Sequence, residues 1–176
     1  CLCYLSYTGK PVKASRLFAG NEHEQEVKRL SAHFNKPSDY YKTVQFDSQI
    51  LSKLKTTKNN YHEETKNAMM KQSVFGTRDL KDFAGYEEAY HQLITDIITL
   101  QVHSSNLVLK GTSVKRIFAD GGFSSNPIYM NLLAEAFPAM EVYAATVPQA
   151  SALGAALVLH RHWNTKSLAA DIIELK

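Results

Sequence analysis

Ala119-Asp120-Gly121-Gly122-Phe123-Ser124-Ser125-Asn126-Pro127 is the stretch that decides the fold of this 176-residue chain. The apolar run Ile117-Phe118-Ala119 leads into it, and an amphipathic stretch follows Pro127, which predicts a strand, a tight turn and a helix in that order. Glycines at such a turn allow the backbone to come close to a ligand. The unpaired N–H groups and the dipole at the start of the helix favour anionic groups. The sequence therefore predicts a binding site at this turn.

A second apolar run, Val142-Tyr143-Ala144-Ala145, leads into a helix almost free of large side chains, Ala150-Ser151-Ala152-Leu153-Gly154-Ala155-Ala156. Because a helix separates them, we expect the strands at 115–119 and 140–145 to be parallel and to share a sheet. The small-residue helix can lie very close to a neighbouring element, so we interpret it as a packing element.

The N-terminal part predicts an antiparallel hairpin in the same sheet, formed by strands at 1–7 and 12–19 around the turn signal Thr8-Gly9-Lys10-Pro11. The first strand is apolar on both faces, so we expect both faces to be covered. Asn21 is predicted to cap the helix that follows, with Glu24 in the capping-box position.

Residues 35–85 are polar and predict an insertion of short helices and loops. The other predicted elements follow from periodicity, from Pro127 at the start of a helix and from Gly111 at the end of one. They are a helix at 86–109, a strand at 115–119, a helix at 127–136, a strand at 140–145, a helix at 149–162 and a short strand at 172–173.

Composition is that of one soluble globular domain spanning 1–176, with 44% hydrophobic and 21% charged residues. The net charge of +3 is too small to indicate nucleic-acid binding, and Lys53, Lys55 and Lys58 predict a solvated face. No apolar stretch approaches the ~18–20 residues of a membrane helix, so no membrane partner is expected. Cys1 and Cys3 point to opposite faces of a strand and cannot readily pair, which is typical of reduced thiols in a cytoplasmic protein.

Other kinds of site lack a pattern in this sequence. There is no Gly-x-x-x-x-Gly-Lys-Ser/Thr loop, and no Cys/His spacing completes a zinc site. His160 and His162 face different directions on a helix, and His91 and His103 are too far apart to chelate a metal. We therefore interpret all seven histidines as surface or packing residues.

Three stretches taken together carry a specific pattern: Asp120-Gly-Gly-Phe-Ser-Ser-Asn-Pro127, Leu132-Leu133-Ala134-Glu135 and Pro148 to Ala156. This pattern closely resembles the C-terminal, nucleotide-binding half of the FGGY carbohydrate kinases. These enzymes belong to the actin/hexokinase/Hsp70 superfamily, so the resemblance implies an α/β, ribonuclease H-like fold with a mixed sheet flanked by helices. That half begins with a three-strand meander in the family, of which two strands are visible here. We therefore expect a piece of a longer protein, lacking its first strand, whose exposed edge allows pairing into a homodimer.

The resemblance assigns Gly121 and Gly122 to the adenosine motif, over which adenine and ribose lie. The alternative is a turn that requires positive φ. Asn126 is implied to contact adenine and alternatively caps the helix ahead of Pro127, and the two roles can coexist. Phe123 either walls the base pocket or packs inward, and Ser125, like Ser124, is an alternative cap and a weaker candidate for nucleotide contact.

The resemblance further implies an ATP-dependent kinase that phosphorylates a ketose, with rhamnulose, fuculose and xylulose kinases as the nearest subgroups. ATP or ADP would bind with Mg²⁺ held mainly by the phosphates and the other half of the enzyme. In the family that N-terminal half binds the sugar and supplies an Asp-x-Gly-Thr motif and the catalytic aspartate. No Asp-x-Gly-Thr occurs in this sequence, so no catalytic residue is assigned and the chain alone is expected to be inactive.

Two alternatives stay open at this point. One is a non-catalytic nucleotide-binding or regulatory member of the same superfamily. The other is a different α/β nucleotide binder with an accidental Gly-Gly turn, which a classical Rossmann strand order would favour.

Overall fold

Helices dominate the computed structural model, which describes residues 1–6, 8–56, 72–145 and 150–167. Its strands are β1 (Leu2–Leu5), β2 (Pro11–Ala14), β3 (Arg116–Ala119) and β4 (Glu141–Ala144). Its α-helices are α1 (Ala19–His33), α2 (Ser48–Thr56), α3 (Tyr86–Leu109), α4 (Pro127–Ala136) and α5 (Ala150–Trp163). Short 3₁₀ turns occupy Tyr40–Thr43, Val74–Thr77, Leu80–Asp82 and Gly121–Ser125.

The long helix α3 is the centre of the core, and its predicted bounds are confirmed. Its first half is buried almost all round because α1, α2 and α4 all pack against it. Gly111, at φ 72, follows the last turn in the left-handed conformation that glycine adopts without strain. The apolar side chains of this half that are buried are Tyr86, Ala89, Tyr90, Leu93, Ile94, Ile97 and Ile98.

Strand pairing is partly as expected. β1 and β2 form the antiparallel hairpin, and β3 and β4 pair in parallel with Arg116 opposite Glu141. The prediction of one mixed sheet is wrong for the described residues, because the two pairs of strands form separate two-stranded sheets. The hairpin instead lies by the end of α3, where Ser104 donates to Ser15 at 2.7 Å. β1 is exposed along its length, so the expectation of two covered faces is also wrong.

The start of α1 differs from the prediction. The second strand ends at Ala14 rather than at residue 19, and α1 begins at Ala19 after Phe18, with no side-chain cap. Asn21 is not the cap, because it lies inside the first turn, where its side chain accepts from Gln25 at 3.0 Å.

Segment 35–85 contains short helices and turns in its described parts, and its interpretation as an insertion stays a prediction. Residues 72–83 are fastened to α1 by the buried Glu22 carboxylate, which accepts from Ser73 N at 2.9 Å and from the Ser73 hydroxyl. Arg29 adds a bond of 2.9 Å to the carbonyl of Phe75. The side chains of Lys53 and Lys55 are exposed and pair with Glu88 and Glu135, as a solvated face requires.

Helix α5 ends one residue later than predicted, at Trp163, and the expectation of close packing is wrong for its described side chains. A Cβ added at Gly154 would meet nothing within 4 Å, and Leu159 and Trp163 are 56% and 68% exposed. Small residues permit a close approach, but no described element makes it. Lys58 and the strand predicted at 172–173 lie outside the described residues, and the single domain over 1–176 stays a prediction.

Candidate functional site

A cavity of about 420 Å³ lies between the start of α1, the 3₁₀ turn at Tyr40–Thr43 and the glycine turn that precedes α4. It brings together four of the five residues that the sequence singled out. The fifth, Gly121, is not among the residues that line it. The lining residues are Gly20, His23, Tyr41, Lys42, Gly122, Phe123, Ser125, Asn126 and Pro127.

The two glycines of the turn have different roles. Gly121 has φ 76, so it is the turn glycine that needs positive φ, as the structural alternative predicted. Its N–H donates to the Asp120 carboxylate at 2.7 Å, which starts the 3₁₀ turn. Gly122 is outside the left-handed region, and a Cβ added there would meet nothing within 4 Å. Gly122 lines the cavity, and a side chain at this position would have open space around its Cβ.

The serines of this turn bond to its own backbone. The Ser124 hydroxyl donates to Gly121 O at 2.8 Å, and the Ser125 hydroxyl donates to Gly122 O at 3.2 Å. Neither serine caps α4, so that alternative is wrong for both. Ser125 lines the cavity and Ser124 does not.

Asn126 is the N-cap of α4, which confirms its structural alternative. Its Oδ1 accepts from the N–H groups of Ile128 at 3.0 Å and Tyr129 at 3.1 Å. Its Nδ2 donates to the Tyr90 hydroxyl at 2.8 Å. An amide nitrogen carries two hydrogens, so one N–H of Asn126 is left for a ligand, and its role in nucleotide contact stays a prediction.

Aromatic rings form one side of the cavity. The His23 ring makes edge-on contacts with Tyr41, Tyr90 and Phe123, at centroid distances of 5.0, 5.8 and 5.4 Å. Phe123 stacks on Tyr129 at 4.5 Å, so it packs inward and also lines the cavity. His23 Nε2 lies 2.9 Å from the Tyr90 hydroxyl, which joins α1 to the network of Asn126.

The interior of this site is uncharged at neutral pH. Burial lowers the pKa of His23 to about 4, raises the pKa of Tyr129 to about 12 and raises that of Tyr90 as well. Among the described residues that line the cavity, Lys42 is the only charged one, and no carboxylate is present. The cavity therefore suits a neutral aromatic group that carries an anionic group near Lys42.

Sequence reasoning missed His23, Tyr41 and Lys42, which precede the glycine turn by about 80 to 100 residues. His23 does satisfy the packing interpretation, since it contacts three rings, but it also lines the cavity. Its position on the buried stripe of Val27 and Leu30 is the signal that was available. A polar ring on an apolar helix face calls for a polar partner.

We expect the free energy of unfolding to fall as the pH drops from about 6.5 towards 4. The folded pKa of His23 lies below the ordinary value, so its stabilisation is complete above about 6.5 and is lost on acidification. The loss should reach about 2 kcal/mol.

His91 acts in the same direction: burial lowers its pKa, and its Nε2 accepts from Asp47 N at 3.1 Å. Urea unfolding at pH 7.5, 5.5 and 4.5 measures the effect. His23→Gln should flatten the dependence, and an unchanged slope would contradict it.

No group of three or more His, Cys, Asp or Glu side chains in the described ranges is placed to hold a metal ion. None of the described helices has the length and apolar character needed to cross a membrane. Cys1 and Cys3 are free thiols, as their spacing predicts.

Comparison with known proteins identifies the family. The model for the "FGGY family of carbohydrate kinases, C-terminal domain" matches residues 66–163, which is more than half of the chain and includes the glycine turn. No curated protein and no solved structure gives a significant match. The matched domain has the ribonuclease H-like fold of the actin/hexokinase/Hsp70 superfamily and is the nucleotide-binding half of a carbohydrate kinase. With its cavity on the glycine turn of that domain, the chain belongs to the FGGY family of carbohydrate kinases.

Proposed function

We propose that this chain binds ATP and ADP in the cavity on the glycine turn, as the nucleotide-binding half of a sugar kinase. Gly122 carries the proposal. It lines the cavity together with Phe123 and Asn126, and a Cβ added there would meet nothing within 4 Å. The backbone conformation at this position does not require a glycine. A glycine there, at the edge of a cavity, therefore indicates a ligand that comes close to the main chain.

The lining matches the two parts of a nucleotide. Tyr41, Phe123 and the neutral His23 offer ring faces and edges to a base, and the site has few charges to desolvate. Lys42 supplies positive charge for a phosphate chain. The cavity volume of about 420 Å³ lies in the range typical of small-molecule sites.

The metal and the sugar belong elsewhere in this proposal. Mg²⁺ prefers carboxylate and phosphate oxygens, and the described lining contains no carboxylate. The residues present therefore do not make a magnesium site, and we assign Mg²⁺ to the phosphates and to the other half of the enzyme. We assign the sugar to that half too, and propose a cytoplasmic ketose kinase for a deoxyhexulose or pentulose, as in rhamnulose, fuculose or xylulose kinases. Homodimer formation stays part of the proposal.

Replacing Gly122 with leucine is expected to weaken ADP binding at least about tenfold, which corresponds to about 1.4 kcal/mol. The leucine side chain would occupy the space that the base needs. The strain should be small because Gly122 is outside the left-handed region. Calorimetric titration of ADP into both proteins measures the change.

Gly154→Leu is the matched control, because a Cβ there also meets nothing within 4 Å and Gly154 does not line the cavity. This variant should bind ADP as the unaltered chain does. Equal affinity of the Gly122→Leu protein would count against the cavity as the nucleotide site.

A non-catalytic, regulatory nucleotide-binding protein is the second candidate. Such a protein needs a nucleotide site and no general base, so a whole protein without the catalytic aspartate would favour it. Nucleotide binding is common to both candidates, and only sugar phosphorylation by the whole protein separates them.

A further inference from the structure

A chain of hydrogen bonds runs from the start of α4 through Tyr90 to His23, and the cap of α4 fixes its direction. Asn126 Oδ1 accepts two backbone N–H groups, so the amide must present Nδ2 to the Tyr90 hydroxyl. The Tyr90 oxygen is therefore an acceptor in that bond. Its own hydrogen is left for its other partner, His23 Nε2, at 2.9 Å.

This direction assigns the tautomer of His23. If Nε2 accepts the Tyr90 hydrogen, a neutral imidazole carries its proton on Nδ1. No described residue accepts a hydrogen bond from Nδ1, although His23 lines the cavity. The Nδ1 atom is accessible rather than enclosed, since Tyr86 Oη is the only side-chain polar atom of the described residues that is buried without a partner. Nδ1–H is therefore a donor that a ligand in the cavity is positioned to engage.

We propose that His23 is a base-binding residue whose Nδ1–H donates to a ring nitrogen of the nucleobase in the cavity, and that Asn126 sets this role through Tyr90. The inference rests on the proposed function, because it needs a nucleotide in the cavity. Adenine carries ring nitrogens that accept hydrogen bonds on more than one edge. A neutral donor fits such a nitrogen without the desolvation cost of a cation.

Packing alone is the competing explanation for His23, since Tyr41, Tyr90 and Phe123 all contact its ring edge-on. Phenylalanine could fill the same space. Packing does not, however, account for the bond to Tyr90 or require a particular tautomer. The two explanations therefore differ in measurable ways.

The first experiment reads the tautomer by ¹⁵N NMR of the imidazole ring. In the unaltered chain His23 should carry its proton on Nδ1. In Asn126→Asp the carboxylate still caps α4, but its second oxygen accepts the Tyr90 hydrogen. His23 Nε2–H must then donate to Tyr90, and the tautomer should reverse. An Nε2–H tautomer in the unaltered chain, or no reversal in Asn126→Asp, would overturn the inference.

The second experiment compares ADP with its 1-deaza, 3-deaza and 7-deaza analogues by calorimetry, because each analogue lacks one acceptor nitrogen. One analogue should bind the unaltered chain about three- to tenfold more weakly than ADP. That difference should disappear in His23→Phe, which keeps an aromatic ring in place. His33→Phe, an exposed position on the same helix, is the control and should retain the difference.

The outcomes separate this inference from the proposed function. If ADP binds but the analogue differences are absent, or persist in His23→Phe, His23 is a packing residue and the inference is wrong while the nucleotide site stands. If the unaltered chain binds no nucleotide, both are wrong. A difference that only the His23 variant removes, together with the Nδ1–H tautomer, supports both.

Discussion

Replacing Arg78 with alanine is expected to lower the free energy of unfolding by about 3–5 kcal/mol. The Arg78 guanidinium bonds Asp96 through two atoms, with Nε to Oδ2 at 2.6 Å and Nη2 to Oδ1 at 3.1 Å. Both side chains are over nine-tenths buried. Burial already raises the pKa of Asp96, and Arg78 and Gln92 oppose that rise. Without Arg78 the carboxylate would be left buried with only Gln92 as a partner.

Denaturant unfolding at pH 7.5 measures this loss, and Arg116→Ala is the control. Arg116 pairs with Glu141 at 2.7 Å, but those side chains are 60% and 53% exposed. Exposed pairs contribute little, so the control should lose less than about 1 kcal/mol. Similar losses in the two variants would show that burial does not set the importance of the Arg78 pair.

The Arg78–Asp96 pair also bears on the site, because it ties the segment at 72–83 to α3. Tyr90 lies on the same helix, fewer than two turns before Asp96. Its hydroxyl joins Asn126 and His23 across three elements. The geometry of the cavity therefore depends on the position of α3. Loosening of the segment at 72–83 should disturb that geometry.

Local signals explain which helices were predicted well. The bounds of α3 and α4 follow from an apolar periodicity closed by Gly111 and from a proline at the first helical position. The cap assigned to Asn21 was wrong because that local signal is weak: the cap position lies three residues earlier, at Phe18, and the helix begins at Ala19. Cap residues are common, and only packing decides which of them is used.

The sheet was harder to predict because strand neighbours are set by distant contacts. Pairing within the hairpin and between β3 and β4 follows from short connections or a crossover helix. Whether two pairs merge into one sheet depends on which edges meet. Here the two pairs of four-residue strands stay in separate sheets, and the hairpin lies beside the end of α3.

The residues of the candidate site were also predicted where they are close in sequence and missed where only distant contacts bring them together. The glycine turn and Asn126 belong to one continuous motif, so a sequence pattern finds them together. His23 and Lys42 reach the cavity only because α1 and the turn at Tyr40–Thr43 pack against α3, as α4 does too. No local pattern links His23 to Asn126. Their connection runs through Tyr90, a residue that periodicity identifies only as part of the core.

The 176-residue chain by itself is expected to transfer no phosphate from ATP to a sugar. Phosphoryl transfer depends on positioning and on stabilisation of charge, with a residue placed to accept the proton of the hydroxyl. The described lining of the cavity offers Lys42 but no carboxylate for a base or for Mg²⁺. Reacting groups misplaced by about 1 Å already cost about a hundredfold in rate, so a missing base and metal site should leave no measurable turnover.

Incubation with ATP, Mg²⁺ and a panel of ketoses, followed by detection of ADP, tests this expectation. Calorimetric binding of ADP to the same preparation shows that the nucleotide site is folded, so that inactivity cannot be ascribed to a damaged protein. Turnover at about 1–100 s⁻¹, the range of ordinary kinases, would place a catalytic carboxylate within these residues. It would also contradict the assignment of the sugar and the metal to the other half of the enzyme. The proposed nucleotide-binding half has neutral His23 and Asn126 at the base and Lys42 at the phosphates. It should therefore bind ADP without turnover.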